Sequence, residues 1–156
     1  MDLPKRKKNR LESFYYTENG AYFITICIKD RKEILCDIVG ADSIRPCKTI
    51  LSNYGKIAET AIKHIPVCYK NVSVPKYVIM PDHIHFILQI TNNGGRIVSV
   101  PTVVAGMKRY ISKKCGYSIW QKGFYDHIIR NQNDYDEICE YIENNPAKWS
   151  EMKKYE

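Results

Sequence analysis

The stretch "KYVIMPDHIHFILQI", residues 76–90, reads as two short β-strands that meet at Met80-Pro81-Asp82. Side chains on a strand alternate between faces, so Ile84, Phe86, Leu88 and Ile90 form one apolar row in the second strand. His83 and His85 then share the opposite face, about 7 Å apart along the strand. Nothing in core formation demands two histidines there. A pair of imidazoles aimed at one spot suits a shared divalent cation, although H-x-H by itself is a weak pattern.

Working outward, residues 52–65 carry Tyr54, Ile57, Ala58, Ala61, Ile62 and Ile65 at helical spacing, and Pro66 is expected to stop that helix. Before it, "AYFITICIKD" (21–30) is β-branched and aromatic, long enough for a central strand. Residues 31–50 are poorly determined, with a short strand at "KEILC" and a loop from Gly40 to Pro46 as the expectation. On the other side, "TNNGG" (91–95) has turn chemistry. A helix follows Ser99 and Pro101, with Val103, Val104, Met107, Tyr110 and Ile111 as its buried stripe, and Gly116 ends it. "GFYDHIIR" (123–130) reads as a further strand. The last helix runs from about Asn133 to Asn145 on Tyr135, Ile138, Cys139 and Ile142, with Pro146 expected to terminate it. The order predicts an α+β, ferredoxin-like fold of βαββαβ type: an antiparallel sheet with helices on one face plus a C-terminal helix.

The chain has 156 residues, 44% hydrophobic and 26% charged, which suggests one domain (1–156) with residues 1–20 as a basic, irregular lead-in. No apolar run approaches membrane-spanning length, and a cytoplasmic protein is the expectation. The six cysteines are scattered without C-x-x-C spacing, which argues against a disulfide framework or a structural zinc cluster. A net charge of +7 and a pI near 9.0 favour a polyanionic partner, nucleic acid before anionic membrane. Twelve tyrosines interleaved with Lys and Arg suit unpaired bases, though most will be structural.

A site needs more than two histidines, and the C-terminal helix supplies candidates. In "CEYIENNPAKW" (139–149), Tyr141 and Asn145 are four apart and project from adjacent turns at the edge of the apolar stripe. Asn145 offers a carbonyl oxygen to a metal and Tyr141 a phenolic nucleophile. Read by themselves, the same residues are better explained as a core cover and a helix end.

Three segments together are more specific: "YVIMPDHIHFIL", "WQKGFYDHIIRN" and "YIENNPAKW" resemble, in order, the signature segments of IS200-like transposases. The nearest branch is that of the REP-associated tyrosine transposases, HUH single-strand nucleases with one catalytic tyrosine. The resemblance runs over nearly the whole chain, one HUH transposase domain with the tyrosine on its C-terminal helix. It implies His83 and His85 as metal ligands with Ile84 between them, Asn145 as the third ligand and Tyr141 as nucleophile. Insertion-sequence members typically carry glutamine where this chain has Asn145; asparagine fits the REP-associated branch, is one carbon shorter, and leaves contact through water open. The implied activity is metal-dependent cleavage and rejoining of single-stranded DNA at a hairpin, through a 5′-phosphotyrosine, with Mg²⁺ or Mn²⁺ as cofactor. Imidazole ligands lean towards Mn²⁺. The alternative is a catalytically silent hairpin-DNA-binding protein descended from a transposase. Relatives of this kind act as homodimers or as monomers.

Other candidates follow from charge and position. Lys5, Arg6, Lys7, Lys8 and Arg10 in the lead-in, and Lys108, Arg109, Lys113 and Lys114 on the helix after Ser99, are candidate phosphate contacts. Tyr125 and His127 share a strand face and are candidates for the surroundings of the site, with Tyr125 the runner-up nucleophile. Trp120 and Trp149 are candidates for base stacking, a core role being the safer expectation for both.

Overall fold

The computed structural model describes residues 19–40, 47–92 and 98–153, and the lead-in cations Lys5, Arg6, Lys7, Lys8 and Arg10 lie outside them. The strands and α-helices of the described residues are, in order, β1 (Gly20–Cys27), β2 (Cys36–Val39), β3 (Lys48–Leu51), α1 (Asn53–Cys68), β4 (Val72–Ile79), β5 (His83–Ile90), α2 (Val100–Cys115), β6 (Tyr125–Ile129) and α3 (Gln132–Lys153). The main sheet has the order β4-β5-β1-β6 with every neighbouring pair antiparallel. That is the ferredoxin-like βαββαβ arrangement, with β2 and β3 added as a separate two-stranded sheet.

Alternation sorts the two faces. Tyr22, Ile24 and Ile26 of β1 and Ile84, Phe86, Leu88 and Ile90 of β5 join the apolar stripes of α1 and α2 in one large core. Each such side chain contributes about 1.5–3 kcal/mol by leaving water. The opposite face, carrying Phe23, Ile87 and Val78, packs against Ile138 and Ile142 of α3 in a smaller second core. The sheet therefore lies between two helical layers, and the histidine face is the one beneath α3.

Local chemistry explains the boundaries. Ser52 caps α1 by accepting from Gly55 N at 3.1 Å, and Ser99 caps α2 by accepting from Thr102 N at 3.3 Å. Gly55 is required by proximity: a Cβ there would stand 2.1 Å from the Leu35 carbonyl oxygen. Gly116 ends α2 in the left-handed conformation, φ 88°.

The two prolines expected to stop helices do not stop them where expected. Pro66 lies inside α1, which runs two residues further to Cys68, where Tyr69 N bonds the Ile65 carbonyl. Pro146 lies inside α3, which continues to Lys153. Proline removes one helical hydrogen bond, and tertiary contacts of the following turns offset that loss. Trp149 packs near His83, and Lys153 pairs with Glu33 at 2.7 Å. Two further expectations shift. The strand expected at "KEILC" begins only at Cys36 and pairs with a strand, β3, that the sequence did not announce. Tyr110, expected in the buried stripe of α2, stands 37% exposed.

Candidate active site

The register across the sheet builds the site. His83 stands opposite Cys27 and His85 opposite Thr25, so both histidines meet the polar side of β1. Their rings converge to a centroid separation of 4.5 Å, closer than their spacing along the strand. Ile84 between them is fully buried on the other face.

Each ring is oriented through its Nδ1. Asp82 Oδ1 lies 2.6 Å from His83 Nδ1, and Arg31 Nε donates to Asp82 Oδ2 at 2.9 Å. Thr25 Oγ1 lies 2.7 Å from His85 Nδ1. With Nδ1–H donated to these oxygens, both Nε2 atoms keep lone pairs, the arrangement that outer partners of metal-binding histidines impose. Burial pushes the His83 pKa down, with Asp82 acting against it, and it pushes His85 down to about 3, with His83 adding to the effect. At neutral pH the imidazoles are uncharged donors.

α3 brings the third group. Asn145, only 8% exposed, hydrogen-bonds the His83 ring through its side chain and also donates from Nδ2 to the Tyr141 carbonyl at 3.5 Å. His85 Nε2 is buried with no hydrogen-bond partner. A buried imidazole nitrogen without a partner is costly, and a bound cation would satisfy it. Among the described residues no three His, Cys, Asp or Glu side chains gather in a metal-holding group, so a third protein donor here would be the Asn145 amide. His83, His85 and Asn145 thus fit a divalent cation on chemistry and position.

Tyr141 sits one helical turn before Asn145. Its ring centroid is 5.4 Å from that of His85 and 6.0 Å, edge-on, from Phe23. The ring is 42% exposed, unlike the buried histidines, so a substrate can reach it. Lys148 Nζ stands 5.6 Å from the same ring.

The remaining candidates are distributed less tightly. Tyr125 is on the same sheet face, opposite Thr25, and 66% exposed. His127 is committed elsewhere: its Nε2 is 3.0 Å from Asp134 Oδ2, tying β6 to the first turn of α3. Lys108 donates to the carbonyls of Gln121, at 3.0 Å, and Gly123, and burial lowers its pKa. Arg109, Lys113 and Lys114 are exposed on α2, which packs against the other face of the sheet from the histidines. Trp120 is buried in the main core, while Trp149 lies with its ring 6.3 Å from that of His83. Sequence reasoning missed Thr25 and Arg31; the only local signal was the Asp82 that precedes His83.

The histidines predict an acid dependence. In metal-free protein the unfolded chain takes up protons on His83 and His85 below about pH 6.5, and the folded chain refuses them. Stability therefore falls as pH drops, and for His85 the loss continues down to about 3. Each refused proton costs about 1.4 kcal/mol per pH unit. Urea unfolding of His85→Gln between neutral and acid pH should give a flatter profile than the parent chain.

Fold and site together define a class: a ferredoxin-like α+β protein with paired histidines on the sheet face and a tyrosine and an amide on the covering helix. No family model matches the chain. An "Uncharacterized protein" of Haemophilus influenzae is 28% identical, over 96% of this chain and 93% of its own length. A REP-associated tyrosine transposase of Escherichia coli is 25% identical, over 90% of this chain and 74% of its own. The solved structure of a REP-associated tyrosine transposase bound to a REP hairpin matches in fold with a TM-score of 0.65 at 23% identity, over 95% of this chain and 74% of that one. The chain is thus similar in sequence to REP-associated tyrosine transposases and shares the fold of one of them. Among the described residues no helix is long and apolar enough to cross a membrane.

Proposed function

We propose that this protein cleaves and rejoins single-stranded DNA at a hairpin, in the cytoplasm, through a 5′-phosphotyrosine on Tyr141, with His83, His85 and Asn145 holding Mg²⁺ or Mn²⁺. The observation that carries the reading is the buried, unpartnered His85 Nε2 beside His83 and Asn145, with the accessible Tyr141 ring 5.4 Å away. The named activity of the relatives and the net charge of +7 support a DNA substrate. Hairpin DNA comes to this chain from the structural neighbour, which is bound to one.

A bound divalent cation supplies positive charge to a phosphate oxygen and makes the phosphorus more electrophilic. The side chains do the rest. Asp82 and Thr25 hold the two imidazoles with Nε2 forward. Tyr141, fixed at its ring by Phe23 and His85, attacks with its hydroxyl oxygen once the proton has passed to solvent. The bond from Tyr141 Oη to phosphorus forms, the bond from phosphorus to the 3′ oxygen breaks, and the strand end leaves as a 3′-OH. Lys148 places positive charge beside the phosphate as its negative charge grows. The phosphotyrosine keeps the phosphodiester energy, so a second 3′-OH can displace Tyr141 and rejoin the strands.

The test is incubation of the full chain with hairpin oligonucleotides and Mn²⁺, followed by denaturing electrophoresis. A cleaved strand together with a covalent protein–DNA species supports the proposal. Tight binding without cleavage on every hairpin would instead favour a protein that only binds DNA.

A further inference from the structure

One aromatic side chain at the site has no part in the proposed chemistry. Trp149 follows Asn145 by four residues and Tyr141 by eight, so the three project from successive turns along one side of α3. Together they straddle the histidine pair. At one end the Tyr141 ring lies 5.4 Å from that of His85, and at the other the Trp149 ring lies 6.3 Å from that of His83. Eight residues of helix span about 12 Å, so the two rings stand on opposite sides of the candidate cation position.

Neighbouring side chains hold the Trp149 ring without enclosing it. Lys153 Nζ stands over it, 5.1 Å from the centroid, and is itself tied to Glu33 at 2.7 Å. The His83 ring meets it at an angle of 48°. Trp149 is half-buried and, among the described residues, belongs to neither apolar core. Trp120, the other tryptophan of the chain, is buried in the main one. A large flat ring fixed beside a cation site, with part of its surface in water, offers a face to a nucleobase.

The direction of attack decides which base. In an in-line displacement the attacking and leaving oxygens stand on opposite sides of phosphorus. With Tyr141 attacking from the His85 side, the 3′ oxygen departs on the His83 side, where Trp149 stands. We infer that Trp149 is the stacking platform for the base of the nucleotide that leaves with the 3′-OH. The inference rests on the proposed reading of the site and adds a specificity-determining contact to it. Every base has a π-face, so the contact selects an unpaired base rather than a particular sequence. The same platform seats the terminal base of the strand whose 3′-OH displaces Tyr141 on rejoining.

The experiment measures the rate of adduct formation with Mn²⁺ on hairpin oligonucleotides that differ at one nucleotide, which carries its base or is abasic. In the parent chain, removing the base immediately 5′ of the cut should slow the adduct about tenfold. Trp149→Leu keeps apolar bulk on α3. It should lose about tenfold on the intact oligonucleotide but less than twofold on the abasic one. Trp149→Phe should restore most of that loss. Mn²⁺ should raise the Tm of Trp149→Leu as much as that of the parent chain; a lost rise makes Trp149 a support for His83 and overturns the inference. An equal loss by Trp149→Leu on both oligonucleotides means packing alone and also overturns it, as does a parent chain indifferent to that base. Dependence on Trp149 for the base 3′ of the cut, in place of the one 5′ of it, overturns the assignment to the leaving side. These outcomes leave the proposed activity standing. A parent chain that forms no adduct on any hairpin overturns that activity and the inference with it.

Discussion

Tyr141→Phe should lose covalent adduct formation on a cleavable hairpin by about 10⁴-fold or more, because removal of a nucleophile leaves no other route to the intermediate. Binding of the same hairpin should change less than about twofold. The substitution deletes one oxygen and keeps the ring that packs against Phe23 and His85, so fold and surface charge are conserved. The natural control is Tyr125→Phe. Tyr125 is more exposed and lies on the same sheet face, yet it has no amide one helical turn away and stands on a strand. Adducts should therefore persist in Tyr125→Phe and vanish in Tyr141→Phe. The reverse pattern would move the chemistry to β6.

The second large effect concerns the cation and needs no DNA. If His83, His85 and Asn145 hold Mn²⁺, then Mn²⁺ at a hundred times its Kd should stabilise the parent chain by about 2.7 kcal/mol, visible as a rise of several degrees in Tm. His85→Ala should lose that rise, because it removes the buried nitrogen that lacks a partner. His83→Ala should do the same. Thr25→Ala leaves both ligands in place but frees the His85 ring to turn, and should weaken Mn²⁺ binding by about 10–100-fold. A parent chain whose Tm ignores Mn²⁺ would contradict a metal role for the pair. Chelation should stop adduct formation in the parent chain under the same account.

Much of this was legible in the sequence because the signals were local. The alternation of Ile84, Phe86, Leu88 and Ile90 placed both histidines on the far face of the sheet, and the structure puts them there under α3. The spacing of Tyr141 and Asn145 likewise needs only one helical turn. What stayed hidden depends on contacts between distant segments. Thr25 reaches His85 across 60 positions and Arg31 reaches Asp82 across 51, pairings set by strand register and by the turn at Asp30–Arg31. Pro146 read as a stop because its lost hydrogen bond is local, whereas the packing of Trp149 and the Lys153–Glu33 pair that carry α3 onward are not. Charge misled in a similar way. Lys108 looked like a free surface cation on α2, but its ammonium is bound to two carbonyls.

The central claim is that one tyrosine beside one histidine pair makes the covalent bond. It is tested most directly by digesting the protein–DNA adduct formed with Mn²⁺ and locating the nucleotide by mass spectrometry. The account predicts a 5′-phosphonucleotide on Tyr141, in the peptide that also contains Asn145. The same mass on Tyr125 or on any other residue, or a cleaved strand with no residue modified, would contradict it.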